Sequence, residues 1–333
     1  VSSGAYMAEQ FGVAFSESVM GVGVIAGGPY LCAKYDTIGM NGKYVRCMMG
    51  KMGGPQLKFL ITDTEFLARY GIIDPIGFID KQRVYIFSGT KDEMVVPSVV
   101  DATFKYYSYF IKDPTKIKYV KTIVAPHSMV TNNPHSQKCD QDCTPMGECK
   151  DNAVECKPNN QCSYVNNCGY DSAGALLSHI YGATVPLIDP STVSVPTVQD
   201  NLIAFDQGAY IKDPAWHSIA KEGHIYIPSA CKDATGVPCR LHVAFHGCLQ
   251  SSARVGCAFT KDAGYNAWAE ANRIVILYPD AISTTVTPTS PFGPINPAGC
   301  WDWFGYDSPG EYYRQTGKQM AAVKRMVDSL TEK

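Results

Sequence analysis

The first residues, VSSGAYMAEQ, set two serines before a glycine and a helix-like run. Ser2 followed two positions later by Gly4 is the second half of the G-x-S-x-G turn, which presents a serine nucleophile between a strand and a helix. A serine hydroxyl attacks well only when a histidine takes its proton and an acid holds that histidine in one tautomer. Two later residues have the types and positions for those parts. Asp92 lies just past the strand-like run RVYIF, and His127 lies in a loop after KIKYVKTIVAP. Each has an ordinary alternative: Ser2 as a helix N-cap, Asp92 as a turn former, His127 as a loop residue. Ser3 is the rival nucleophile.

The elements around these residues decide whether they can meet. Met7, Phe11 and Phe15 recur at helical spacing, so Gly4 to Phe15 reads as a helix. GVGVIAGGPY reads as a short buried strand ending in glycines, Arg83 to Phe87 as a second, KIKYVKTIV as a third, and Pro97 to Ile111 as a helix. Strand, helix, strand at this spacing implies right-handed parallel crossovers, whose carboxyl ends share one rim. The strand that would enter the Ser2 turn is not among these residues, so upstream residues or another strand are expected to hold it.

Farther on, DSAGALLSHIYG reads as a helix and residues 185 to 200 as a linker or long surface connection. HIYIPS, LHVAFHG and IVILYPDA read as strands, Asp262 to Asn272 as a helix, and Gln315 to Leu330 as an amphipathic helix. This alternation predicts an α/β fold with a mostly parallel sheet, either as one domain or as two split near residue 190.

Composition narrows the function classes. The 333 residues are 45% hydrophobic, enough for a sizeable core, and the net charge of −2 gives no case for nucleic acid or an anionic membrane as partner. No run of about 18 apolar residues occurs, so no membrane span is expected. No signal peptide is visible, and a chain that opens inside a motif would have lost one. Of the 13 cysteines, Cys139, Cys143, Cys149, Cys156, Cys162 and Cys168 crowd one polar stretch without C-x2-C pairs or interleaved histidines. Disulfides fit that spacing better than zinc, which implies an oxidising compartment and secretion. The odd total leaves at least one thiol unpaired within the chain.

One more stretch bears on chemistry. LHVAFHGCLQ is a strand that breaks at His246-Gly247-Cys248. A strand ending in His-Gly commonly supplies the second amide of an oxyanion hole, because glycine lets the chain turn while a backbone N–H points at the growing charge.

These blocks carry a resemblance. HIYIPSAC, LHVAFHGCLQ, GYNAWAEANRIVILYPDA and GCWDWFG, with SSGAYMAEQFGVAFS, GTKDEMVVP and APH, resemble the core of secreted poly(3-hydroxybutyrate) depolymerases. In most relatives the HGC and CWDWF blocks precede the serine turn. Here they follow it, as in the circularly permuted, single-domain fungal type. The resemblance implies a circularly permuted α/β-hydrolase fold over residues 1–333, with a mostly parallel central sheet, flanking helices and a disulfide-rich insertion at 139–168. It implies Ser2 as nucleophile, His127 as base, Asp92 as its orienter, and the amides of Ser3 and Cys248 as oxyanion hole. It also implies Trp303 as a substrate-cleft aromatic, while Trp301 is expected in the core. A Cys248–Cys300 disulfide follows from it; Cys32–Cys47 and Cys231–Cys239 look like local bridges. Cys168 is expected to pair upstream, and Cys257 is the expected free thiol.

The implied activity is hydrolysis of poly(3-hydroxybutyrate) or related short-chain polyesters by a secreted enzyme, without metal or organic cofactor; the sequence leaves the oligomeric state open, with a monomer favoured. Ala298 departs from the family, where a polar residue often precedes the glycine of GCWDW. The alternatives are an esterase for feruloyl, acetyl-xylan or other polyester substrates, and a catalytically silent binding protein.

Overall fold

The computed structural model describes residues 1–35, 39–141, 162–193, 199–232, 237–285 and 295–331. The chain packs as two compact units, Val1–Ser128 with Trp301–Ala321, and Met129–Cys300 with Ala322–Lys333. The linker-like stretch near residue 190 falls inside the second unit, so the chain does not divide there.

In the first unit, α1 (Ser3–Ala14) is followed by β1 (Gly21–Ile25), α2 (Gly39–Cys47), α3 (Leu57–Arg69), β2 (Arg83–Phe87), α4 (Pro97–Phe110) and β3 (Ile117–Val120). The three strands form one parallel sheet in the order β1-β2-β3, with Val22 opposite Val84 and Val84 opposite Ile117. β2 is rich in β-branched and aromatic residues and is buried along its length except at Arg83, as a central strand covered on both faces should be.

α1 is buried on nearly every side, and most of its residues are small or apolar, with Glu9 and Gln10 the buried exceptions. Gly12 lets it lie close against β1: a Cβ there would come within 2.3 Å of Val22 Cγ2. α4 starts on Pro97, whose missing N–H is not needed in a first turn. It buries Val99, Val100, Thr103, Tyr106, Tyr107 and Phe110 at helical spacing.

The second unit holds β4 (Met129–Thr131), β5 (Gln137–Lys138) and β6 (Val165–Asn167), which pair in parallel in the order β4-β6-β5. Then come α5 (Ser172–Tyr181), β7 (Leu202–Asp206), β8 (Glu222–Tyr226), α6 (Ser229–Lys232), β9 (Arg240–Val243), α7 (Ser252–Val255), α8 (Tyr265–Asn272) and β10 (Ile274–Tyr278). Asp171 caps α5 by accepting from the Gly174 N–H at 2.8 Å. The larger sheet runs β7-β8-β10-β9; β9 and β10 are parallel, while β7–β8 and β8–β10 are antiparallel. The last helix, α9 (Lys318–Thr331), brings Met326 into a core with Ile225 and Leu277. No helix among the described residues is long and apolar enough to cross a membrane.

Candidate active site

Ser2 stands on the turn into α1 with φ 54° and ψ −127°. A side chain is rarely tolerated there, and holding one costs about 1–3 kcal/mol unless the surroundings fix it. Here the Ser2 N–H donates to the carbonyl of Ile25, the last residue of β1, at 3.1 Å. The Ser2 carbonyl accepts from the N–H groups of Ala5 and Tyr6 at 2.8 and 3.1 Å, opening the helix. The end of β1 therefore braces the turn. Ser3 is buried, and its Oγ accepts from the Trp301 N–H at 3.3 Å. Its side chain thus has a structural task, where the sequence reading gave it only an amide.

Asp92 and His127 follow β2 and β3, which are parallel neighbours, so their loops leave the sheet at the same end. Gly89 allows the two loops to run against each other: a Cβ there would sit 2.3 Å from the Ala125 carbonyl oxygen. Thr90 N–H donates to Ile123 O at 2.9 Å and Lys91 N–H to Ala125 O at 3.1 Å. Asp92 is buried; its Oδ1 accepts from the Met94 and Val95 N–H groups at 3.0 and 2.9 Å. Its Oδ2 lies 2.9 Å from His127 Nδ1. The turn-former and orienter readings of Asp92 are both realised, one on each oxygen. With Nδ1–H held by the carboxylate, Nε2 is the nitrogen left to accept a proton. Among the described residues, hydrogen bonds join His127 to Asp92 but not to Ser2; such contacts often tighten only when substrate binds.

Tyr6, one turn along α1 from Ser2, stacks on Trp303 with ring centroids 4.6 Å apart and planes at 25°. Its hydroxyl donates to the Cys47 carbonyl, and burial pushes its pKa well up. Trp301 is fully buried, while Trp303 keeps 7% of its surface accessible.

No family model matches the chain. It is 36% identical over 332 residues to a poly(3-hydroxybutyrate) depolymerase of Delftia acidovorans, covering 99% of this chain and 58% of that protein. It is 32% identical over 339 residues to a polyhydroxybutyrate depolymerase of Talaromyces funiculosus, covering 99% of this chain and 87% of that one. The chain belongs to the poly(3-hydroxybutyrate) depolymerase family.

Solved structures agree. A PHB depolymerase from Penicillium funiculosum matches with a TM-score of 0.79 and 31% identity over 99% of this chain and 93% of its own. A serine-to-alanine PHB depolymerase complexed with an R3HB trimer matches with a TM-score of 0.78 at the same identity and coverage. The fold is that of the α/β-hydrolases.

The depolymerase-type HGC segment lies in the second unit. Cys248 is bonded to Cys300. His246 Nδ1 lies 2.7 Å from the Gly247 carbonyl, and the Gly247 N–H donates to Gln250 Oε1 at 2.7 Å. Gln250 in turn donates to the carbonyls of Ser163 and Tyr164 at 2.9 and 3.1 Å. Cys32–Cys47 and Cys231–Cys239 are bonded, and Cys168 pairs upstream with Cys139. Cys257 is in a disulfide, which overturns its reading as the free thiol; in the sequence its neighbour Cys248 was already assigned to Cys300, which left Cys257 without a suggested partner. The centre of the Cys-rich insertion, residues 142–161, lies outside the described residues.

Two acidic residues near the site gave no functional signal in the sequence. Glu9 on α1 is buried, and burial holds its pKa well above the ordinary carboxylate value against the pull of the Tyr30 backbone amide. Asp302 is buried between the two tryptophans; burial pushes its carboxyl up to about 6, against the pull of the Ser308, Gly305 and Tyr306 amides.

Proposed function

We propose that this chain is a serine esterase that hydrolyses poly(3-hydroxybutyrate) or related short-chain polyesters. Its relatives carry that activity in their names, and the chain spans about half the length of the Delftia relative, at 58%. The observation that carries the reading is the left-handed turn at Ser2, braced by β1 and followed by a buried helix. A family member needs its nucleophile there, and Ser3, whose hydroxyl accepts from Trp301, fits the role less well.

Ser2 Oγ attacks the ester carbonyl carbon as its proton passes to His127 Nε2. Asp92 keeps the imidazole in the required tautomer and offsets the charge of the imidazolium. The oxyanion is taken by the Ser3 amide, with the Cys248 amide as the second donor that the His246-Gly247-Cys248 motif implies. The tetrahedral intermediate collapses, the alcohol end of the polymer leaves with the proton from Nε2, and an acyl-Ser2 ester remains. Water, deprotonated by His127, then attacks that ester, releasing the acid and restoring Ser2. No step draws on a metal or organic cofactor.

Residues 1–333 act in this reading as one circularly permuted catalytic domain, with 139–168 as a disulfide-bound insertion. The bonded cysteines fit secretion. Trp303 lines the substrate cleft. The test compares clearing of a poly(3-hydroxybutyrate) film with release of ferulate or acetate from model esters. Film clearing that vanishes in Ser2→Ala supports the proposal. Ferulate or acetate release without film clearing assigns another ester, and no covalent labelling of Ser2 by a serine-directed phosphonate in a folded protein removes catalysis altogether.

A further inference from the structure

The segment from Trp301 to Ser308 has no regular secondary structure, yet it carries the aromatic ring that stacks one turn from Ser2. Something other than a helix or strand ladder has to hold it, since an irregular segment has no ladder to satisfy its backbone.

Asp302 supplies that hold through all of its polar groups. Its Oδ1 accepts from the N–H groups of Gly305 and Tyr306 at 2.6 and 2.9 Å. Its Oδ2 accepts from those of Asp307 and Ser308 at 3.3 and 2.9 Å. Four consecutive backbone amides thus close on one carboxylate, and the chain curls around it immediately after Trp303. The Asp302 N–H donates to Gln319 Oε1 at 2.8 Å, and Gln319 Nε2 donates onward to the Tyr306 hydroxyl at 2.9 Å. The Asp302 carbonyl accepts from Gln10 Nε2 at 3.1 Å, which ties the residue to the helix that begins at the nucleophile turn. Its neighbours are fixed from both sides. Trp301 N–H is held by Ser3 Oγ, and the Phe304 carbonyl accepts from Lys43 Nζ at 2.5 Å. Trp303 sits between these anchors, with its ring placed on Tyr6 by stacking.

We propose that Asp302 is a positioning residue for substrate recognition: by gathering the four amides of residues 305–308 it holds Trp303 against Tyr6, and so sets how tightly an oligoester chain binds beside Ser2. Asp302 touches no reacting atom. The proposal rests on the reading of Trp303 as a wall of the substrate cleft.

The experiment measures binding, so it does not depend on turnover. In a Ser2→Ala protein, which leaves the ester intact, calorimetry gives the Kd of a 3-hydroxybutyrate trimer with and without Asp302→Ala, Trp303→Ala and both together. Asp302→Ala is expected to weaken binding about tenfold, as loss of a buried aromatic anchor does. Adding it to Trp303→Ala is expected to change nothing more, because the two act through one ring. A cap that merely stabilises the protein would lower the melting temperature and leave Kd unmoved.

A Kd within about twofold of the parent, or an effect that adds in full to that of Trp303→Ala, overturns the proposal. If Asp302→Ala shows no cooperative melt, Asp302→Asn carries the same cycle, since it keeps the shape but loses the acceptors on one oxygen. A trimer that does not bind the Ser2→Ala protein overturns this proposal and the proposed substrate together. Binding that ignores Asp302 overturns only this one.

Discussion

Two regions of the first unit, to which the proposal gives different work, are held by different means. Ser2, Asp92 and His127 are positioned by backbone: the end of β1 grips the Ser2 turn, and the loops after β2 and β3 are laced together by their own N–H and C=O groups. The Trp301–Ser308 segment is positioned by side chains, those of Ser3, Gln10, Lys43, Asp302 and Gln319. The proposed reacting groups thus inherit the rigidity of a parallel sheet, while the proposed aromatic wall depends on separate polar contacts. Substitutions in the first region should remove chemistry, and those in the second should change recognition.

The largest effect tests the first half of that contrast. Ser2→Ala should lower kcat by about a millionfold, the loss seen when a serine nucleophile is deleted from an intact triad, as followed by acid release from a hydroxybutyrate oligomer. A variant within tenfold of the parent would give the nucleophile to another residue. Asp92→Asn comes next, at about ten-thousandfold in kcat, because an amide at the Oδ2 position no longer selects the Nδ1–H tautomer of His127. Its KM should stay near that of the parent. A rise in KM with kcat retained would make Asp92 a loop residue only, acting through its bonds to Met94 and Val95.

The same contrast explains what the sequence could and could not convey. The proposed triad residues were legible as candidates because each one lies shortly before or after an element whose periodicity is local: RVYIF, KIKYVKTIV, and the helix marked by Met7, Phe11 and Phe15. The strands that were read fell where the alternation put them, as β2 does at Arg83–Phe87, whereas β4 to β7 and the helices α2 and α3 were not read. The brace on Ser2 was not legible, since Ile25 is a featureless strand end until the register is known. Nor was Asp302, whose partners Gln10 and Gln319 lie at opposite ends of the chain. Its only local sign was an aspartate three residues before Gly305, a pattern common in loops.

A smaller effect probes the second region where it meets the first. Ser3→Ala deletes the acceptor for the Trp301 N–H but keeps the Ser3 amide. It should cost on the order of 1 kcal/mol, the net worth of one hydrogen bond, seen mainly as a rise in KM for the oligomer. Gln10→Ala, which frees the carbonyls of Asp302 and Tyr312, should act in the same direction. If either variant lost kcat as completely as Ser2→Ala, the division between backbone-held chemistry and side-chain-held recognition would fail.

The smallest effect concerns stability, and it separates the two regions by pH. Glu9 lies on α1 and is buried. Burial raises its pKa in the folded protein, so above the ordinary carboxylate range the native state holds a proton that the unfolded chain has released. Where the native state binds more protons, stability falls as pH rises. Glu9→Gln removes that proton from the balance. The variant should therefore gain on the parent as pH rises, by on the order of 1 kcal/mol at pH 8, and match it most closely near pH 4. Denaturant midpoints at the two pH values measure the gap. A constant gap would mean that Glu9 ionises in the folded protein as readily as in the unfolded chain. Because the substitution leaves both the Ser2 turn and the Asp302 contacts in place, kcat and KM should change little while the stability curve shifts.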